Sequence, residues 1–184
     1  GMLENTGSLD YEGILVFQGE QGLGKTAWFK RISGQMSKYC TDGLVLDPHD
    51  KDTVLTAVGH WMVELGEIDA TFKKNEIAAL KAFFTKRTDK IRRPYDRRDS
   101  ILPRRTTFFA SVNRKDFLSD DTGNRRFWCL PVSALVLPDY FDAQQFWAQV
   151  MVDLDGAGGA NTKPWYLRGD EIHMRNYANV DFTE

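Results

Sequence analysis

The sequence predicts an α/β fold in which a central, mostly parallel sheet is flanked by helices. Three observations carry this. Short apolar runs of strand length recur along the chain, stretches of helix length separate them, and the first run feeds directly into a Gly-rich turn.

The elements follow in order. Residues 13–17, GILVF, form an apolar run that suits a buried strand. The turn QGEQGLGKT leads into a helical stretch with Trp28, Phe29 and Ile32 apolar, ending near Gly34. Asp42-Gly43 signals a turn, and Leu44-Val45-Leu46 is the second strand candidate. Asp50 or Asp52 caps a helix that runs to Gly59. His60 to Leu65 is a third strand ending in acids, and Lys74 to Lys86 is amphipathic. Residues 91–105, rich in Arg and Pro, read as a loop or hairpin. Thr107–Val112 is a strand ending at Asn113, and Phe127–Val132 is a fifth strand. Phe141–Leu154 is a helix, Gly156–Asn161 a flexible break, and one more helix starts near Gly169. The strands are too few for an eight-fold barrel.

Composition excludes several classes. A chain of 184 residues suits one domain with its own core. Cys40 and Cys129 alone cannot build a disulfide framework, so a reducing cytoplasm is the expected compartment. No apolar stretch approaches the 18 or more residues of a membrane span, and Leu3–Glu12 is too polar for a signal peptide. Gly1 before Met2 reads as the scar of tag removal, and the chain is expected to be a fragment of a longer protein. His49, His60 and His173 lie far apart with no Cys at ligand spacing, so no zinc site is expected.

The net charge of −2 hides an asymmetry. Residues 81–126 hold 14 basic and 6 acidic residues, a net of +8, while the rest of the chain holds 10 and 20, a net of −10. The basic residues are mostly Arg, which points to phosphates of a nucleotide or a nucleic acid.

Gly19-Glu20-Gln21-Gly22-Leu23-Gly24-Lys25-Thr26 matches G-x-x-x-x-G-K-[ST] in full. With Gly at about 7% of residues, chance gives this pattern in roughly one of 150 such chains, and its place between a strand and a helix narrows that further. The reading is a P-loop nucleotide site. Glycines let the backbone wrap phosphates, and the helix start adds its positive end. Gly19, Gln21, Gly22, Leu23, Gly24, Lys25, Thr26 and Ala27 are the expected ATP-binding residues. Lys25 reaches the β- and γ-phosphates, and Thr26 offers its hydroxyl to Mg²⁺.

A P-loop also needs an acid on a neighbouring strand. Glu64, directly after apolar residues, is the candidate to help hold Mg²⁺, and Glu67 the better candidate to polarise water. They stand three apart rather than adjacent, so the division of roles stays open. Asn113, at a strand's carboxyl end, suits the γ-phosphate or the water. Arg125 and Arg126 suit the charge of a transferring phosphoryl group.

Taken together, the P-loop, ELGEID, RRPYDRR, FFASVN and GNRRFW resemble the virulence-associated protein E family, over roughly Tyr11 to Val132. The family comprises phage- and island-encoded P-loop ATPases similar to superfamily 3 helicases and primase-linked AAA+ domains. The resemblance implies an AAA+-like P-loop NTPase core with strand order 5-1-4-3-2. It implies Glu64 and Glu67 as the Walker B acids, Asn113 as sensor 1, and Arg125 or Arg126 as an arginine finger acting on a neighbour's nucleotide in a homo-hexamer or other ring. Members are generally longer than this chain. The expected organisation is a P-loop ATPase core over 1–140 and a C-terminal helical extension over 141–184.

Superfamily 3 helicases carry a DNA-gripping hairpin between the Walker B acids and sensor 1. Arg92, Arg93, Tyr95, Arg97 and Arg98 are therefore expected to contact single-stranded or forked DNA, with Arg on phosphates and Tyr95 on a base. The rival role is a subunit interface. The expected function is ATP hydrolysis coupled to DNA binding or remodelling in a helicase-like or replication-associated protein of a phage or mobile element. Two alternatives remain open: a P-loop kinase, and a nucleotide-gated DNA-binding regulator with little turnover.

Overall fold

The computed structural model describes residues 13–66, 74–92, 97–118, 124–136, 140–159 and 166–183, with the backbone alone at 35 and 74–78. The chain runs β1 (Ile14–Gln18), α1 (Lys25–Ser33), a 3-10 turn (Gly34–Tyr39), β2 (Cys40–Leu44), α2 (Lys51–Val58), β3 (Met62–Leu65) and α3 (Lys74–Phe84). It continues with β4 (Thr88–Ile91), β5 (Ser100–Pro103), β6 (Thr107–Val112), a 3-10 turn (Asn124–Arg126), β7 (Phe127–Pro131), α4 (Ala143–Gly156) and α5 (Asp170–Val180).

Five strands form one sheet in the order β2-β3-β6-β1-β7, with every neighbouring pair parallel. Numbered among themselves along the chain and read from β7, they run 5-1-4-3-2, the order the resemblance implies. β4 and β5 pair antiparallel as a separate hairpin inside the Arg-rich interval.

Strand parity sorts the side chains into two layers. Ile14, Val16, Val63, Leu65, Phe108, Ala110, Val112, Phe127 and Cys129 enter one core together with Leu80, Phe83 and Phe84 of α3. Phe17 and Phe109 enter the other, against Phe29 of α1, whose ring stacks on Phe109 at 5.3 Å. Met62 and Glu64 alternate with Val63 and Leu65, so Glu64 faces the α1 side. That parity decides where its carboxylate goes.

One expected element moves. The second strand is Cys40–Leu44, not 44–46, and Asp42-Gly43 is not a turn but part of it. Gly43 has φ 66°, and the pairing with β3 shifts register between Thr41 and Leu44. The glycine absorbs an irregularity inside the strand, and that needs its left-handed freedom. It also admits Gly66, where a Cβ would stand 2.9 Å from the Gly43 backbone.

Asp50 caps α2, its side chain accepting from the Asp52 N–H. Arg104 clamps the hairpin onto α3. Both it and Asp89 are buried; its Nε and Nη2 donate to the two Asp89 carboxylate oxygens, and its Nη1 donates to the Phe83 carbonyl at 3.2 Å. Its guanidinium lies 4.3 Å from the Phe83 ring centroid. The C-terminal helices contact the sheet layers. Trp147 Nε1 donates to the Ile32 carbonyl at 2.7 Å, and Phe182 packs against Phe117 in the larger core.

Candidate functional site

The carboxyl ends of β1, β3 and β6, neighbours in the sheet, deliver the site. After β1 the chain enters the Gly-rich loop. Gly19 is buried, and a Cβ there would meet the Val132 carbonyl oxygen at 2.2 Å, so only glycine fits. Gly22 and Gly24 have φ 88° and 82°, the left-handed region. Gly24 opens α1 without any side-chain cap, which leaves the first-turn N–H groups for a ligand. Gln21, Gly22 and Ala27 are exposed, and Leu23 is half-buried.

Lys25 is 7% exposed and bends back over the loop. Its Nζ donates to the carbonyls of Gly19 at 2.6 Å and Glu20 at 2.8 Å, and to Asn113 Oδ1 at 3.0 Å. The last contact joins the loop to the end of β6. Gln18 Nε2 adds a bond to the Asn113 carbonyl at 3.2 Å, and Gly19 N–H one to the Val112 carbonyl at 3.1 Å.

Glu64 lies on the other side of the same opening, 1% exposed. Its Oε1 accepts from the Thr26 hydroxyl at 2.7 Å and the Ser111 hydroxyl at 2.9 Å. Its Oε2 is buried and has no hydrogen-bond partner among the described residues. A buried carboxylate oxygen left without a donor is costly. Beside a threonine hydroxyl, it is chemistry that suits a hard divalent cation.

The fold thus brings Gly19–Thr26, Glu64 and Asn113 into one place. Glu67, Arg93 and Tyr95 lie outside the described residues. Arg92, Arg97 and Arg98 are exposed on the segment joining β4 to β5. Arg125 and Arg126 lie elsewhere. β7 pairs with β1 in the register Ile14↔Phe127 to Gln18↔Pro131, so both arginines precede the edge of the sheet opposite the loop. Phe127 stands four residue steps, roughly 13 Å, from the loop end of the strand, and both arginines lie beyond it.

The Arg125–Arg126 turn is held by α5. Asn179 Nδ2 donates to the carbonyls of Asn124 and Phe127, both at 2.9 Å, and Arg175 Nη1 donates to that of Arg125 at 2.9 Å. Burial, and then the Arg125 charge, hold the Arg175 pKa below its usual value.

Ser111 and Gln18 were not singled out from the sequence. Their signal is there: each is a polar side chain at the carboxyl end of an apolar strand in a parallel sheet.

Comparison with known proteins agrees with this geometry at the level of fold. The apo structure of the NrS-1 C-terminal region is similar, with a TM-score of 0.56 and 16% identity, covering 94% of this chain. The chain spans only 43% of the length of that region. Two A-form apo structures of the C-terminal region of NrS-1 give TM-scores of 0.49, at 16% and 17% identity, covering 92% and 94% of this chain and 34% and 39% of theirs. No curated protein matches the chain. The model of the virulence-associated protein E-like domain matches residues 5–184. With nearly the whole length matched, the chain belongs to the virulence-associated protein E-like family.

Proposed function

We propose that this chain binds ATP with Mg²⁺ at the Gly19–Thr26 loop and hydrolyses it, and that it serves a helicase-like or replication-associated protein of a phage or mobile element by coupling hydrolysis to DNA binding or remodelling. The observation that carries the reading is the Thr26–Glu64 contact at 2.7 Å, with Glu64 Oε2 buried beside it and unpartnered among the described residues.

Thr26 and Glu64 would hold the cation, with Ser111 keeping the Glu64 carboxylate oriented. Mg²⁺, when bound, supplies neutralising charge to the β- and γ-phosphate oxygens. Lys25 already bonds Asn113, so one ammonium and one amide stand together beside the loop. Lys25 exchanges its carbonyl partners for phosphate oxygens, and Asn113 orients the γ-phosphate or the attacking water. Glu67 follows Glu64 by three residues and takes the water's proton. Arg125 and Arg126 stand too far from their own loop to serve it, which supports their acting on the nucleotide of a second copy.

The DNA partner is supported by exposed Arg92, Arg97 and Arg98, carried on a hairpin that the buried Arg104–Asp89 pair anchors. The test is Mg²⁺-dependent ATP hydrolysis, with and without single-stranded DNA, with Lys25→Ala as the blank. Turnover that Lys25→Ala abolishes and DNA raises is the expected result. Turnover unchanged in Lys25→Ala removes the loop from the mechanism.

A further inference from the structure

The chain turns at Asn124–Arg126 into β7, at the end of the sheet away from the Gly-rich loop, and α5 lies against that turn. A carbonyl that faces a packed helix loses water and needs a donor. Asn179, 4% exposed, supplies two, since its Nδ2 donates to the Asn124 carbonyl and to the Phe127 carbonyl, both at 2.9 Å. A primary amide carries two N–H groups, and both are used here. The two carbonyls stand on either side of Arg125 and Arg126, so one side chain fixes both ends of the arginine pair.

Arg175 lies one helical turn before Asn179, on the same face of α5. Its Nη1 donates to the Arg125 carbonyl at 2.9 Å, between the two carbonyls that Asn179 holds. Its Nε and Nη2 donate to Asn176 Oδ1 at 3.2 Å and 2.7 Å, which orients the guanidinium. The helix is itself anchored. Phe182, just past α5, is buried in the larger core against Phe117, and its carbonyl accepts from the Leu118 N–H at 3.1 Å. On the other side β7 pairs with β1 from Phe127 onward. The turn is thus held between a paired strand and an anchored helix. Arg125 is exposed and Arg126 half-buried. The like charge of Arg175 disfavours a return of the Arg125 side chain onto α5.

We propose that α5 is a mount for the arginine turn, in which Asn179 and Arg175 are positioning residues that hold Arg125 outward for the nucleotide of a second copy and touch no nucleotide themselves. This rests on the reading above that the arginines act between copies, and it adds that the C-terminal helix sets how well they do so. Position matters because a displacement of about 1 Å costs on the order of 100-fold in rate.

The test is steady-state ATP hydrolysis by mixed copies. One copy, Lys25→Ala, supplies the arginines. The other, Arg125→Ala with Arg126→Ala, supplies the loop. Asn179→Leu removes both donors at similar volume and is placed on either copy in turn. On the copy that supplies the arginines it is expected to lower turnover about 10- to 100-fold. On the copy that supplies the loop, whose turn has no arginine to hold, it should leave the mixture's turnover as it was. A folding defect acts alike from either copy, so equal losses overturn the proposal, as does no loss from either. Thermal melts of each chain are read first. Arg175→Met, which removes the bond to the Arg125 carbonyl from a half-buried position, is run in the same two placements, and a smaller one-sided loss is expected. Where Asn179→Leu is unfolded, Arg175→Met decides on the same terms. A parent mixture without turnover overturns the reading that the arginines act between copies, and the mount with it. A parent mixture that turns over, with no one-sided loss, leaves that reading standing and overturns the mount alone.

Discussion

The Thr26 hydroxyl, in the first turn of α1, donates to Glu64 Oε1 at 2.7 Å, so two residues 38 positions apart meet at one carboxylate oxygen, while the other is buried with no hydrogen-bond partner among the described residues. The link exists because α1 starts directly after the loop and Glu64 lies on the α1 face of β3.

That arrangement sets function against stability at one side chain. Glu64→Gln replaces a buried carboxylate with a neutral amide of the same shape. It should stabilise the unliganded chain by about 1 kcal/mol, a rise of roughly 2–4 °C in Tm for this size. The same change should lower Mg²⁺ affinity or Mg²⁺-dependent turnover roughly 10- to 100-fold. Thermal melts and a Mg²⁺ titration of hydrolysis read the two effects; a lower Tm would mean the carboxylate is satisfied in the free protein.

The β1–β7 register predicts complementation between chains. Lys25→Ala lacks the loop lysine but keeps its arginines, and Arg125→Ala with Arg126→Ala is the converse. Each should be inactive alone, and a mixture should regain part of the turnover. A mixture as inactive as its parts would leave the arginines without a role across subunits.

Arg104 and Asp89 offer a folding test. Each is 3% exposed at the side chain, so Arg104→Met leaves a buried carboxylate unpaired. The expected cost is about 3–5 kcal/mol, read as a lower urea midpoint. Arg104→Met with Asp89→Leu should recover most of it. Equal losses in the single and double variants would show that packing on Phe83, not charge, is what Arg104 contributes.

The two thiols should separate cleanly. Burial pushes Cys129 from its ordinary value of 9.0 up to about 12 and also raises Cys40, which a hydrogen bond to Ser33 partly offsets. At pH 8 a thiol reagent should label Cys40, which is half-buried, and reach Cys129 only after unfolding. The raised value also has a sign. Below pH 9 both the folded and the unfolded Cys129 are protonated, and the contribution to stability is complete. Between about 9 and 12 only the unfolded thiol ionises, so that contribution falls as pH rises. Cys129→Ser should flatten the alkaline limb of a plot of stability against pH.

Local signals were read well from the chain. The Thr107–Val112 strand lies where its apolar run places it, and of the two candidate caps, Asp50 and Asp52, it is Asp50 that caps α2. The Gly-rich loop is legible because each special backbone angle calls for a glycine at a set spacing. Asp42-Gly43 misled because the same dipeptide serves a turn or a strand irregularity, and only pairing with β3 decides which.

By itself, then, the sequence determined the alternation of strands and helices, the Gly-rich loop between a strand and a helix, and the acid of the third strand, since each depends on residues close together in the chain. The tertiary structure decided what those residues meet. The order of non-consecutive strands put Asn113 against Lys25 and Ser111 against Glu64, and it sent Arg125 and Arg126 to the far edge. The same register stacked Tyr39 on Trp61 and buried Arg104 on Asp89. Such pairs depend on register, which packing on both faces of the sheet sets, and a one-residue slip would turn each side chain to the opposite face.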